Sequence, residues 1–314
     1  MNDKGSHMTW KYCSMVAVML RRLTAVGLFR VPRAVIGACL LCAVGAPLSV
    51  AAAVQTNEAV RIGTTPVFLD DQVAFIGQWQ AYLQRRLQRP VEFVRRGSYG
   101  EIVELLQRGQ LDFAWICGYP YVRFKQQFRL LAVPLFGGKP LYQSYLIVPH
   151  TDRKTQTLLD LKGAVFAYSD PNSNSGWLVP QYELRRAGVD PTAFFGKSFF
   201  TWAHRKVVEA VGSGLAHGGA VDGYVWETLA VQRPELTART RVAWKSPQFG
   251  FPPLVAHRSV PTATFEQVQA ALLGMSDDDE GRALLKRLNL DGFTAGDNRL
   301  FERIEANMNA IHAR

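Results

Sequence analysis

A short polar segment between a strand-like run and a helix-like run has the residue types of an anion site. Ser173, Asn174 and Ser175 precede Gly176, where the helical pattern begins. Backbone N–H groups and the positive end of the helix dipole attract an anion at such a junction, and hydroxyl and amide side chains add donors. Serine and asparagine are also ordinary helix-capping residues. The residues alone therefore leave an anion cradle and simple capping equally open.

Three further donors occupy comparable positions in the chain. His204 follows the strand-like run 199–202, where an imidazole could donate to an oxyanion and carry charge near neutral pH. Tyr99 stands at the predicted start of a helix and Tyr142 in a predicted strand, and each offers a phenolic donor. Each of the three, taken alone, fits a packing or capping role as well.

The elements that must position these residues alternate between β-like runs and helical periodicity, which favours a parallel α/β architecture. Strands are predicted at residues 60–64, 91–94, 111–116, 131–135, 141–148, 163–167, 199–202 and 219–221. Helices are predicted at residues 71–88, 98–108, 177–187 and 206–211 and from Trp226, Thr264, Asp278 and Asn298. Ser98 and Glu101 have the spacing of a capping box. Two α/β lobes follow, with residues 54–149 and 250–314 in lobe 1, residues 150–249 in lobe 2, and a ligand cleft between them.

Residues 1–53 have the composition of a secretory signal peptide. Basic residues precede a short apolar core at 34–45 and an alanine-rich end at 51–53. The apolar run is shorter than the ~20 residues of a membrane-spanning helix. Cys39 lies in a weak lipoprotein-like context, which makes a lipid anchor the lesser alternative. The sequence therefore predicts export to the periplasm with cleavage near residues 51–53.

The charge and the cysteines narrow the function classes. The formal net charge is +10, but six of the 36 Lys and Arg residues and one of the 26 acidic residues lie in residues 1–51, which leaves +5. That excess is too small for a nucleic-acid-binding surface and still favours anion capture. Cys117 is the one cysteine after the leader, so no disulfide framework is expected. Most free cysteines are small buried hydrophobic residues.

Several segments together resemble the phosphonate/phosphite/phosphate-binding family of ABC transporter substrate-binding proteins. The most specific is Asp-Pro-Asn-Ser-Asn-Ser-Gly-Trp-Leu-Val-Pro at 170–180; the others are Ala-His at 203–204 and the segments 219–227, 111–115 and 142–148. The resemblance implies a type II periplasmic-binding-protein fold, with two α/β lobes, a two-stranded hinge and the ligand in the cleft. It implies that an oxyanion is held by Ser173, Asn174, Ser175, His204, Tyr142 and Tyr99. A monomer without a cofactor or metal, serving a membrane permease, is expected.

One departure from the family pattern concerns the ligand. Where relatives that bind aminoalkylphosphonates carry carboxylates for the ammonium group, this chain has Tyr224 and Pro252. Asp222 and Glu227 are close in sequence, and Asp222 and Tyr224 are kept as candidate ligand-binding residues. An ammonium-bearing ligand is therefore disfavoured. A simpler anion, or an organic group on an aromatic shelf, is an alternative; the shelf would comprise Tyr224, Trp226 and Phe251.

Two other functions remain open from the residues. Cys117 follows a predicted strand beside the cleft, and a thiol there would suit a thiophilic oxyanion such as arsenite, sensed on behalf of a histidine kinase. Ser173 or Ser175, His204 and Asp222 could be drawn as a hydrolytic triad. The Gly-x-Ser-x-Gly elbow of α/β hydrolases does not surround these serines. Binding is therefore preferred over catalysis.

Overall fold

The computed structural model describes residues 58–66 and 73–312, so the predicted signal peptide lies outside the described residues. The strands are β1 Val60–Thr64, β2 Val91–Arg95, β3 Phe113–Trp115, β4 Phe128–Leu135, β5 Leu141–Tyr142, β6 Ser144–Pro149, β7 Val165–Tyr168, β8 Lys197–Phe200, β9 Gly218–Asp222, β10 Thr240–Lys245, β11 Phe249–Gly250, β12 Leu254–His257 and β13 Gly292–Ala295. The helices are α1 Val73–Leu87, α2 Tyr99–Gln107, α3 Gly118–Arg123, α4 Val179–Arg186, α5 Pro191–Phe194, α6 His204–Gly212, α7 Gly223–Gln232, α8 Pro234–Thr237, α9 Thr262–Leu273, α10 Asp279–Leu288 and α11 Glu302–His312. None of the helices described is both long enough and apolar enough to cross a membrane.

The first sheet contains six strands in the order β13-β4-β12-β3-β1-β2. Strand β1 pairs in parallel with β2 and β3, whereas β12 runs antiparallel between β3 and β4. The chain therefore returns to this sheet after it has formed the second one. Trp79 of α1 meets Trp115 of β3 edge to face, with ring centroids 5.8 Å apart, and both side chains are buried. Such aromatic contacts fix the helices on the sheet.

The second sheet has the order β10-β6-β9-β7-β8, with β7 parallel to β8 and β9 and with β6 antiparallel to β9 and β10. The single strand predicted at residues 141–148 is wrong, because Tyr142 pairs with Phe249 in a separate ladder while Ser144 pairs with Asp222. That ladder, β5 with β11, is the two-stranded hinge between the sheets. The lobe ranges remain a prediction; the pairing of β6 in the second sheet supports moving the first boundary to Gln143.

The carboxyl ends of the parallel strands carry the candidate residues. In the second sheet, β7 leads into the Ser-rich segment, the chain after β8 reaches His204, and β9 ends at Asp222. In the first sheet, β2 precedes Tyr99 and β3 precedes Cys117. This arrangement is the one expected for an open α/β sheet, whose ligands bind at the carboxyl edge. The two lobes thus face each other with their candidate donors.

Candidate functional site

The Ser-rich segment forms a π-turn rather than the start of a regular α-helix. Residues Asn174–Leu178 are π-helical, and the N–H of Leu178 donates to the carbonyl of Ser173 at 3.0 Å. Ser173 is the N-cap, and its Oγ accepts from the N–H of Gly176 at 2.9 Å. A Cβ at position 176 would lie 1.8 Å from Ser169 Oγ, so only glycine fits there. A π-turn of this kind is frequent at functional sites.

His204 is a neutral donor, so of the two roles that the sequence leaves open for it, donation to an oxyanion and a positive charge near neutral pH, the structure favours donation. Its Nδ1 accepts a hydrogen bond from the backbone N–H of Asp222 at 3.0 Å. The ring proton therefore resides on Nε2, which lies 3.4 Å from Ser173 Oγ. Burial lowers the pKa of His204 to about 3, because a buried imidazolium loses its hydration. At physiological pH the ring offers one N–H to the cleft.

Both predicted tyrosines reach the same place from the first lobe and the hinge. The Tyr142 hydroxyl accepts from Asn174 Nδ2 at 2.9 Å. The Tyr99 ring stands edge to face with His204 at 6.5 Å, and its hydroxyl makes no hydrogen bond within the described structure. Burial raises the pKa of each phenol well above its usual value, and the nearby carboxylate of Asp222 adds to the rise. Both groups therefore stay protonated and can donate.

Four buried polar side-chain atoms of this site have no hydrogen-bond partner among the described residues. They are Tyr99 Oη, Ser169 Oγ, Asn174 Oδ1 and Ser175 Oγ. An unsatisfied buried polar group costs about 1–3 kcal/mol, so their concentration in one place requires an explanation. Three of the four are hydroxyls, which can donate to the oxygens of an anion.

Asp222 lies beneath the site and caps the helix that follows it. Its Oδ1 accepts from the backbone N–H groups of Tyr224 at 2.9 Å and Val225 at 3.4 Å. Burial raises the pKa of Asp222 to about 7, and these two hydrogen bonds only partly oppose the rise. Its backbone N–H donates to His204 Nδ1 at 3.0 Å, which places the residue next to the site.

The hydrolytic triad is not assembled. A catalytic aspartate accepts a hydrogen bond from Nδ1–H of the histidine, so that Nε2 can take the proton of the serine. Here the backbone N–H of Asp222 donates to Nδ1, and Nε2 of His204 carries the proton. The carboxylate of Asp222 is directed to the start of α7 instead. This tautomer suits a hydrogen-bond donor and not a general base.

Cys117 contacts the Ser-rich turn, as its predicted position beside the cleft suggests. Its Sγ accepts the backbone N–H of Asn174 at 3.1 Å, and the side chain is buried. Burial raises the pKa of the thiol to about 11, so it is neutral at physiological pH. A thiolate, and not a thiol, is the species that binds soft ligands.

Tyr224 and the proposed aromatic shelf are arranged differently from the prediction. The Tyr224 hydroxyl donates to the carbonyl of Leu288, and its ring stands edge to face on Phe251 at 5.0 Å. Trp226 instead donates from Nε1 to Thr240 Oγ1 at 3.1 Å. The three rings therefore do not share one surface, and we leave Tyr224 out of the proposed site.

Some residues that build the site had no clear signal in the sequence. Ser169 directly precedes the family-like segment 170–180, and its buried hydroxyl has no hydrogen-bond partner among the described residues. Ser144 Oγ donates to the carbonyl of Ser175 at 2.7 Å and so supports the turn from the second sheet. Within the described residues, the side chains of His, Cys, Asp and Glu form no group that could hold a metal ion.

Comparison with known proteins identifies a family for most of the chain. Residues 62–301 match the model of a family described as ABC transporter, phosphonate, periplasmic substrate-binding protein. A phosphonates-binding periplasmic protein of Escherichia coli is 25% identical over 79% of this chain and 75% of its own length. A probable ABC transporter phosphite-binding protein of Prochlorococcus marinus is 27% identical over 53% of this chain and 59% of its own length. The match thus spans less than two thirds of that relative.

A solved structure shows the same fold. The protein named PhnD1 from Prochlorococcus marinus, in complex with methylphosphonate, superposes with a TM-score of 0.74 at 20% identity. The superposition covers 82% of this chain and 99% of that one. The type II periplasmic-binding-protein fold predicted from the sequence is therefore confirmed.

Proposed function

The chain belongs to the family of periplasmic substrate-binding proteins of phosphonate ABC transporters, and from that premise we propose that it captures a small phosphorus oxyanion. The observation that carries the proposal is the cluster of buried, unpartnered hydroxyls at Tyr99, Ser169 and Ser175, next to the neutral Nε2–H of His204. These groups come from both lobes. They form a hydrogen-bonding site for an anion whose oxygens accept in several directions.

We propose phosphite, phosphate or methylphosphonate as the ligand rather than an ammonium-bearing phosphonate. An ammonium group needs a free carboxylate near the anion. Glu227 accepts from the Tyr145 hydroxyl and lies 3.8 Å from the Lys245 ammonium, so it already has partners. Asp222 already accepts two backbone hydrogen bonds at the start of α7.

Binding rather than catalysis is the proposed role, and an ABC permease in the inner membrane is the proposed partner. The protonated Nε2 of His204 supports this, because it cannot act as a base towards Ser173. The sulfur of Cys117 accepts the N–H of Asn174, a structural role that accounts for the residue without a thiophilic ligand. Export by the predicted signal peptide is tested by the N-terminal sequence of the protein from a periplasmic extract, expected near residues 51–53. A monomer is expected in size-exclusion chromatography with light scattering.

Titration calorimetry against phosphite, methylphosphonate, phosphate, aminoethylphosphonate and sulfate tests the ligand. We expect at least one of the first three to bind more tightly than the last two. Ser175→Ala and His204→Ala should each weaken binding by about tenfold or more, since each removes a donor to a charged group. Ser213→Ala, at the far end of α6 from His204, is the matched control and should bind normally. Normal affinity in both site variants would refute the assignment.

A further inference from the structure

A carboxylate that follows the second sheet reaches across the cleft to a helix of the first lobe. Asp170 comes two residues after β7, and its Oδ2 accepts from the backbone N–H of Tyr99, the first residue of α2, at 3.1 Å. Its Oδ1 accepts from the backbone N–H of Asn172 at 2.7 Å and so fixes the local turn. The Asp170 side chain is buried. One carboxylate therefore joins the two lobes directly.

The bond satisfies a helix terminus that would otherwise lack a partner. The first N–H groups of a helix have no acceptor inside it and carry partial positive charge. Ser98, the N-cap of α2, accepts only from the N–H of Glu101, at 3.3 Å. The N–H of Tyr99 is left to Asp170. Asp170 and Ser98 thus supply acceptors for two of the free N–H groups at the start of α2.

Further contacts surround the Asp170 bond and also join the lobes. Asn172 faces Gly100 of α2, since a Cβ added at position 100 would come within 3.5 Å of Asn172 Nδ2. The rings of Tyr119 in α3 and Trp177 in the π-turn stack at 5.9 Å. These contacts need the lobes to be closed and involve no ligand. Together they form the interface between the lobes around the anion site.

We infer that Asp170 is a positioning residue that latches the two lobes in the closed state. The bond to Tyr99 can form only when the lobes meet, so it stabilises the closed state and contributes nothing to an open one. A group that acts only in the closed state raises the closed population and, through it, the affinity for ligand. The effect on affinity rests on the proposed function, whereas the bond itself does not.

Two variants distinguish loss of the bond between the lobes from a general destabilisation of α2. Asp170→Asn keeps the size of the side chain and an oxygen for the N–H of Asn172, but it removes one of the two acceptors. Ser98→Ala removes the other cap of the same helix, entirely within lobe 1. Amide hydrogen exchange at Tyr99 and Glu101, followed by NMR, reads each cap directly.

The expected results differ between the variants. In the wild type, methylphosphonate should slow exchange at Tyr99, because ligand favours closure. In Asp170→Asn, exchange at Tyr99 should stay fast, and methylphosphonate should bind about tenfold more weakly through faster dissociation. Ser98→Ala should speed exchange at Glu101 and leave the affinity within about twofold, since an N-cap acts on its own helix.

The outcomes keep this inference distinct from the proposed function. Equal exchange at Tyr99 in the wild type and Asp170→Asn, with and without methylphosphonate, overturns the latch, as does unchanged affinity. A wild type that binds none of the tested oxyanions contradicts the proposed function alone. The ligand-free comparison then decides: slower Tyr99 exchange in the wild type supports the latch, and equal exchange overturns it. If Asp170→Asn does not fold, Asp170→Ser keeps an acceptor for the turn without reaching α2, and the same outcomes apply.

Discussion

Replacement of Asp222 by asparagine should stabilise the fold, and the gain should grow with pH. Asp222 is buried, and burial raises its pKa from an ordinary value of 3.8 to about 7. The folded state therefore binds more protons than the unfolded state between these two values, and stability falls as pH rises through that window. Asparagine caps a helix as well as aspartate does and has no charge to bury.

The size of the effect follows from the pKa. Each pH unit between the two values is worth about 1.4 kcal/mol, so this carboxyl costs the folded state about 4 kcal/mol across the whole window, of which about 3 kcal/mol is lost between pH 5 and pH 7. Asp222→Asn should thus gain about 3 kcal/mol more at pH 8 than at pH 5. Urea denaturation at both pH values, monitored by circular dichroism, measures this difference.

A matched control comes from another capping aspartate. Asp190 caps α5 by accepting from the N–H of Thr192, and those bonds lower its pKa instead of raising it. Asp190→Asn should therefore give no gain that grows with pH. If Asp222→Asn changes the stability equally at pH 5 and pH 8, or lowers it at both, the charge of the buried carboxylate does not destabilise the fold.

Three further predictions concern the turn, the segment before His204 and the cysteine. Gly176→Ala should abolish oxyanion binding in calorimetry, because the added Cβ would lie 1.8 Å from Ser169 Oγ. The second change Ser169→Gly should restore part of the affinity. If it restores none, the clash with Ser169 is not the cause of the loss. Trp202 has a φ of 66°, which costs a bulky residue about 1–2 kcal/mol, so Trp202→Gly should raise the melting temperature, and a lower one would contradict that strain. Cys117→Ser should leave methylphosphonate affinity within about threefold, because a serine hydroxyl can accept the N–H of Asn174; abolished binding would make the sulfur a ligand contact.

The local features of the fold were predictable from residue spacing and the two-lobed fold from the family resemblance, but the strand partners were not predictable. Ser98 is confirmed as the N-cap of α2, a local interaction that the spacing to Glu101 predicts. The second bond of the predicted capping box is not formed, because the Glu101 carboxylate accepts from the Ser98 hydroxyl instead. The division of residues 141–149 into a hinge strand and a strand of the second sheet depends on partners at Phe249 and Asp222, far along the chain. Hydrophobic periodicity reports burial but not which strand is the neighbour.

The candidate site divides in the same way. The residue types at the strand ends made the segment around Ser173 and His204 candidates, and the family resemblance favoured them over ordinary capping residues. The protonation state of His204 could not be predicted, because burial and the hydrogen bond from Asp222 decide it and neither is visible in the sequence. The contact of Asp170 with Tyr99 joins residues 71 apart in two different lobes. Only the tertiary structure brings that pair together.

A site of neutral donors is suited to reversible capture. The proposed donors, among them the hydroxyls of Tyr99 and Ser175 and the Nε2–H of His204, carry no net charge at physiological pH. When the lobes close, water is excluded and each hydrogen bond to the anion strengthens in the lower dielectric. When they open, water competes for the same oxygens and no buried cation remains to hold the ligand. Closure, with Asp170 as its latch, would then control retention more than the donors alone.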